Sequence, residues 1–269
     1  MDNQPSSYER SFPLAVVYVG ACLMWTALVV LPLLVWAFGG DFTSPLALSA
    51  SAVGMSGSAV GIGWAMRRAR RWSPKETWAV RRPALATLGW GSALLATLSL
   101  GTVGEALGTK LWDLLSDKLG LELPTDALAT IAEALTMGAT SHRVVLSVVI
   151  VLIGPILEEL VFRGFLWRLF RGEERPWAAL VGTSLLFALW HLDPIQSVGV
   201  LPLAIFLGVL RWRSRSLIPC VAVHVLNNGF ALVSVIWGTG EPTSLPWLIG
   251  ACVMGASAFA VISHRSAIS

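Results

Sequence analysis

The chain has 269 residues, of which 55% are hydrophobic and only 13% are charged. Its mean hydropathy is +0.70, whereas a soluble globular domain carries roughly 25% charged residues. These values predict an integral membrane protein and exclude an ordinary soluble enzyme. The formal net charge of +3 does not indicate a nucleic-acid partner, because the basic residues lie in short clusters between apolar runs.

Apolar runs bounded by turn residues and charges predict an all-α, polytopic membrane helix bundle with about eight transmembrane helices. The runs lie at about 13–38, 43–66, 84–103, 144–170, 177–193, 195–211, 216–237 and 245–263. No internal repeat or second domain is visible, so residues 1–269 are interpreted as one membrane domain. Only the HLDP segment separates the short runs 177–193 and 195–211, and its polar residues are predicted to lie either inside the protein or in a loop.

The basic clusters predict how the chain is oriented in the membrane. The short loop 67–82 carries seven Lys and Arg residues, and the positive-inside rule places such a loop in the cytoplasm. Both termini are then cytoplasmic. The Arg-rich spacers and short loops favour a bacterial cytoplasmic membrane.

Residues 105–142 form the one long stretch that is not a clear span. Leucines at helical spacing between positions 107 and 119 predict an interfacial amphipathic helix on the extracytoplasmic side. A second, weaker helix is predicted at 128–135, either interfacial, dipping into the membrane, or part of a simple surface hairpin.

Two adjacent carboxylates and an arginine stand inside the apolar run 144–170. Each ionisable group costs about 2.5 to 3.5 kcal/mol at a bilayer centre, so such residues usually face protein or water and mark function. Glu159 and Arg163 are four residues apart and are predicted to pair on one helix face. Glu158 points about 100° away, so it is the carboxylate free to act as a general acid or base; a hydrogen bond to a neighbouring helix is the alternative. The preceding Gly154-Pro155 pair is predicted to kink or loosen the helix.

Two histidines also fall within predicted spans. His191 shares a helix face with Phe187, and His224 shares one with Asn228. A lone membrane histidine is more often a helix–helix hydrogen-bonding group than a catalyst. The depth of each residue can be counted from the predicted cytoplasmic ends of its helix, near residues 170, 177 and 215. At about 1.5 Å of rise per residue, Glu158, His191 and Asn228 all lie roughly 18 to 21 Å from these ends, and His224 lies one turn nearer to them. Polar groups from three helices in one layer predict a buried site.

Three motifs therefore occur in order on successive predicted helices: EExxxR, FxxxH and HxxxN. Their residues are Glu158, Glu159, Arg163, Phe187, His191, His224 and Asn228. Together the motifs resemble those of the CAAX protease and bacteriocin-processing enzyme (CPBP) family of intramembrane glutamic endopeptidases. The resemblance covers about residues 144–237, which we interpret as the catalytic core.

The resemblance implies that Glu158 and His191 activate a water for attack on a peptide carbonyl, while His224 and Asn228 stabilise the oxyanion. The other motif residues would support the site, with the Glu–Arg pair holding the helix and tuning the local field. No metal or cofactor is implied. The implied partners are the lipid bilayer and a membrane-associated protein or peptide substrate, such as a prenylated CAAX tail, a leader peptide or a C-terminal sorting segment.

Three other functions remain open from the residues alone. A zinc protease could use His191, His224 and a carboxylate as ligands, although the sequence lacks HExxH. Buried Glu and His residues also serve as proton relays in transporters. A non-catalytic scaffold or immunity-type protein could keep the same helices, but it would not need the complete set of four polar residues.

Overall fold

The structure, a computed structural model, describes residues 11–83, 87–120, 127–137 and 139–237, together with positions 253, 255 and 257. The described part of the chain is helical and contains no β-strand, which confirms the predicted all-α class. Apart from those three positions, the predicted span at 245–263 lies outside the described residues.

Nine helices cover the described ranges. They are α1, wound as Ser11–Trp25, Thr26–Val30 and Leu31–Phe38, then α2 Pro45–Ala69, α3 Pro74–Trp78, α4 Thr87–Leu119, α5 Ala127–Met137, α6 Thr140–Leu169, α7 Pro176–Trp190, α8 Pro194–Ser214 and α9 Ile218–Trp237. Five of them, α1, α2, α6, α8 and α9, are long and apolar enough to cross a membrane. The protein is therefore an integral membrane protein, but the predicted count of about eight spans is not confirmed.

The predicted span 177–193 is a shorter apolar helix of 15 residues, α7. It ends at Trp190 because Leu192 adopts a left-handed backbone conformation with φ of 56°. Asp193 then begins α8, and its Oδ1 accepts hydrogen bonds of 2.8 Å from the backbone N–H groups of Ile195 and Gln196. The HLDP segment is thus a partly exposed turn that caps the next helix.

The predicted span 84–103 and the start of the predicted interfacial helix belong to one helix, α4, which runs through position 103 without a break; the depth of its second half stays a prediction. Glycines at this point serve packing and do not end the helix. A Cβ at Gly104 would collide with the backbone oxygen of Gly199 on α8, and one at Gly108 would lie 3.2 Å from the side chain of Ile195. Small residues of this kind let two membrane helices approach closely.

The weaker predicted helix at 128–135 corresponds to α5. Ala134 and Leu135 are buried against Leu146 of α6, and partly buried side chains of α2 and α9, Leu48 and Leu232, pack on the same cluster. The helix is thus held by three others and is not a free surface hairpin. Its depth relative to the membrane stays a prediction.

α6 lies at the centre of the larger apolar core and contacts α2, α3, α7, α8 and α9. Two of its segments, Val149–Ile153 and Leu160–Leu166, are π-wound. Such windings are uncommon and frequently occur at functional sites. The two candidate carboxylates lie in the short α-helical piece between them, Gly154–Glu159.

Candidate active site

The adjacent carboxylates of α6 have different surroundings. The Glu159 side chain is fully buried, and its Oε1 lies 3.1 Å from Nη1 of the equally buried Arg163. Arg163 also donates from Nη2 to the backbone oxygen of Ala204 on α8, at 2.8 Å. Glu158 instead keeps 19% of its side chain exposed. The ion pair with Arg163 therefore balances the charge of Glu159, and Glu158 is the carboxylate that remains accessible.

His224 of α9 lies between the two carboxylates. Its Nδ1 is 2.9 Å from Glu159 Oε1, and its Nε2 is 3.7 Å from Glu158 Oε2. Because a carboxylate only accepts hydrogen bonds, Nδ1 must carry a proton and donate a hydrogen bond to Glu159. This bond fixes the orientation of the ring and turns Nε2 toward Glu158.

His191 lies at the end of α7, where its Nδ1 is 3.0 Å from the backbone oxygen of Phe187. A carbonyl oxygen only accepts, so Nδ1 is again the protonated nitrogen. In the tautomer with this single proton, the lone pair lies on Nε2, where it can accept a second proton. Among the described residues His191 makes no hydrogen bond or ion pair with Glu158.

The buried ring of Phe187 brings the histidines together. Its centroid lies 5.1 Å from the ring of His191 and 5.6 Å from the ring of His224, both in edge-on geometry. The guanidinium carbon of Arg163 lies 4.6 Å from the same centroid, and Phe162 packs edge-on at 5.2 Å. One aromatic side chain therefore contacts residues of all three motifs.

Asn228 lies one turn beyond His224 on α9 and contacts the first π-wound segment of α6. Its Nδ2 donates to the backbone oxygen of Ile150 at 2.9 Å. In that segment the N–H of Gly154 bonds the backbone oxygen of Val149, five residues earlier. The next bond of the same kind would run from Pro155 to the backbone oxygen of Ile150. Proline has no N–H, and the Asn228 amide satisfies the vacant carbonyl.

The structure thus brings six of the seven motif residues into one network of contacts and holds Asn228 beside it through α6. Sequence reasoning missed the His224–Glu159 hydrogen bond. The depth estimate contained a signal for it. His224 was placed one turn nearer the cytoplasmic side than Asn228, and Glu159 is one residue nearer that side than Glu158. It also missed the Asn228–Ile150 bond, for which the adjacent Gly-Pro pair was the available signal.

Arg211 of α8 is a further buried residue of this region. Only 1% of it is exposed. Its Nε donates to the backbone oxygen of Arg163 at 3.0 Å, and its Nη2 lies 2.8 Å from Glu173 Oε1. Arg211 therefore bonds a backbone carbonyl of the second π-wound segment, as Asn228 bonds one of the first.

Within the described residues, no group of three or more His, Cys, Asp or Glu side chains is arranged to hold a metal ion. Polar contacts of the motif residues instead run among carboxylates, imidazoles, an arginine and backbone carbonyls. The arrangement joins an accessible acid, an imidazole that bonds a backbone carbonyl through Nδ1, and two side chains that can donate hydrogen bonds.

The fold and this cluster define a polytopic membrane protein with an acid–histidine centre between its helices. Residues 140–230, from the start of α6 into α9, match the family described as "Type II CAAX prenyl endopeptidase Rce1-like". The match includes all three motifs, confirms the resemblance to the CPBP family and supports, in general terms, a membrane peptidase of the CAAX-protease type. No curated protein and no solved structure matches the chain.

Proposed function

We propose that the chain is an intramembrane glutamic endopeptidase that hydrolyses a peptide bond in a membrane-associated protein or peptide tail. The observation that supports this most is the contrast between the two neighbouring acids. Glu159 is buried and bonded to Arg163 and His224. Glu158 is partly exposed, and its carboxylate lies 3.7 Å from His224 Nε2. A scaffold has no use for an accessible carboxylate beside an oriented imidazole.

In this proposal Glu158 and His191 activate the attacking water. The water oxygen bonds to the peptide carbonyl carbon while one of its protons passes to the carboxylate of Glu158 or to Nε2 of His191. The C–N bond of the tetrahedral intermediate then breaks, and the leaving amine takes up that proton. General acid–base help of this kind contributes about 10²- to 10⁴-fold in rate.

His224 and Asn228 stabilise the oxyanion. Because Nδ1 of His224 is committed to Glu159, its Nε2 can donate only when the ring carries two protons, and the carboxylates on either side balance that charge. Asn228 uses one N–H for Ile150 and has a second one for the oxyanion. Loss of one such donor typically costs about 2.7 to 4 kcal/mol of transition-state stabilisation.

The substrate we propose is an apolar peptide tail that enters from the membrane. The description of the matched family names a CAAX prenyl endopeptidase, so a CAAX-like tail is one candidate, and a leader peptide and a C-terminal sorting segment are the others. A bacterial membrane disfavours the prenylated form of the tail. We also propose that the chain resides in a bacterial cytoplasmic membrane with both termini cytoplasmic, as the Arg clusters indicate.

The test compares membranes that contain the wild-type chain with membranes that contain Glu158→Gln, which keeps the shape of the side chain and removes its charge. We expect peptide fragments that are present with the wild type and absent with the variant. Glu133→Gln on α5, an exposed glutamate, is the matched control and should give the wild-type fragments. Identical fragments from the wild type and Glu158→Gln, confirmed with purified protein, would defeat the proposal.

A further inference from the structure

Asn227 precedes Asn228 on α9 and belongs to none of the three motifs. Its Nδ2 donates to Oδ1 of Asn228 at 3.4 Å, and its side chain is partly buried. Oδ1 of Asn227 faces α4, where a Cβ built on Gly101 would lie 3.5 Å from it. The side chain thus lies between α4 and the Asn228 amide.

The polarity of the Asn228 amide follows from its neighbours. The backbone oxygen of Ile150 only accepts, so the group facing it must be Nδ2, which places Oδ1 on the opposite side. Asn227 supplies a donor on that side. Rotation of the Asn228 amide by 180° would set its oxygen against the Ile150 carbonyl and its nitrogen against the Asn227 donor, so both contacts would be lost.

We propose that Asn227 is a positioning residue that holds the Asn228 amide with its second N–H directed at the oxyanion. This inference rests on the proposed function, because it assumes that Asn228 contacts the developing negative charge. Asn227 itself does not touch the substrate. A neutral hydrogen bond contributes about 1 kcal/mol net, so its loss should lower kcat about five- to tenfold and leave KM unchanged.

A double-mutant cycle tests this with a peptide whose cleavage depends on Glu158. Asn227→Ala should lower kcat about five- to tenfold and Asn228→Ala about 10²-fold or more, while the double variant should match Asn228→Ala. Asn227→Asp, which cannot donate, should behave as Asn227→Ala. Unchanged kcat in Asn227→Ala, or an equal loss in the Asn228→Ala background, would overturn the proposal.

A second measurement does not depend on turnover. The side-chain amide signal of Asn228 in ¹⁵N-labelled protein, identified by its loss in Asn228→Ala, should lose order in Asn227→Ala while the thermal unfolding midpoint stays near that of the wild type. An unchanged signal would refute the positioning role even if the proposed peptidase activity fails. Conversely, if Glu158→Gln still cleaves the peptide, the proposed function is wrong. The amide signal of Asn228 can be measured and interpreted in that case as well.

Discussion

Glu159 and His224 lie 65 positions apart in the chain and are joined by a hydrogen bond of 2.9 Å between Oε1 and Nδ1. Since the same oxygen also lies 3.1 Å from Arg163, one buried atom receives donors from its own helix and from α9. The bond converts a locally paired glutamate into the group that orients the histidine facing Glu158.

Glu159→Gln should therefore impair both folding and activity. Removing one partner of a buried ion pair costs about 3 to 5 kcal/mol, here because Arg163 would be left without its counter-charge. Unfolding in detergent and cleavage of the test peptide measure the two effects. Lys110→Gln, which breaks an exposed pair with Asp113, is the control and should change stability by less than about 1 kcal/mol. Equal stability of the two variants would contradict the prediction.

Phe187→Leu should lower activity more than its loss of stability explains, because both histidines pack against this ring. Phe165→Leu is the matched control: this ring is equally buried but packs on Tyr18 and Trp72, away from the histidines. Both variants should lose a few kcal/mol of stability, within the range of about 1 to 4 kcal/mol for large-to-small core changes. At a temperature where both are folded, only the Phe187 variant should cleave more slowly. If the two variants lose activity alike, Phe187 has a packing role only.

Gly104→Ala should destabilise the protein, because the added Cβ would collide with the backbone of Gly199 and force α4 and α8 apart. The thermal unfolding midpoint in detergent is the measurement. Gly61→Ala in α2, where no atom lies within 4 Å of the added Cβ, should instead gain about 0.5 to 1 kcal/mol from higher helix propensity. A stabilised Gly104 variant would show that the two helices are not packed as described.

A chelator should leave the cleavage rate unchanged, because the proposed water activation uses Glu158 and His191 without a metal. The experiment incubates the purified protein with EDTA, measures cleavage, and then adds zinc. Activity that is lost with EDTA and restored by zinc would favour the zinc-protease alternative instead.

Cysteine labelling in intact cells tests the orientation. Arg70→Cys, between α2 and α3, should react only with a membrane-permeant reagent, and Asp41→Cys, between α1 and α2, should also react with an impermeant one. Both positions are exposed, and the three native cysteines are replaced by alanine in the parent protein. The reverse labelling pattern would place the termini outside the cell.

Local spacing predicted the contacts that lie within one helix. Glu159 and Arg163 pair as the i,i+4 rule requires. Contacts between helices were harder, because they depend on how far one helix is shifted along another. The bond from His224 to Glu159 and the support of Ile150 by Asn228 belong to this second kind.

The number and limits of the spans were predicted less well. Hydropathy alone separated a span ending near residue 103 from a following helix, although α4 runs unbroken to Leu119, with Gly104 and Gly108 close against α8. Hydropathy also extended a span to residue 193, where backbone geometry at Leu192 stops α7 earlier. Neither packing partners nor a left-handed residue can be recovered from an average over apolar side chains.

The π-wound segments of α6 can absorb a change in length that a regular helix cannot. Val149–Ile153 holds one residue more than α-winding needs, so deleting one residue there would leave Val149 paired with Gly154 through an ordinary α-turn and the residues that follow in place. One residue deleted from the α-wound piece Gly154–Glu159 would instead turn the residues after it by about 100°, so that a different side chain would meet His224. Related chains should therefore tolerate a deletion within Val149–Ile153, or in connecting segments such as residues 171–175, better than one between Pro155 and Glu158.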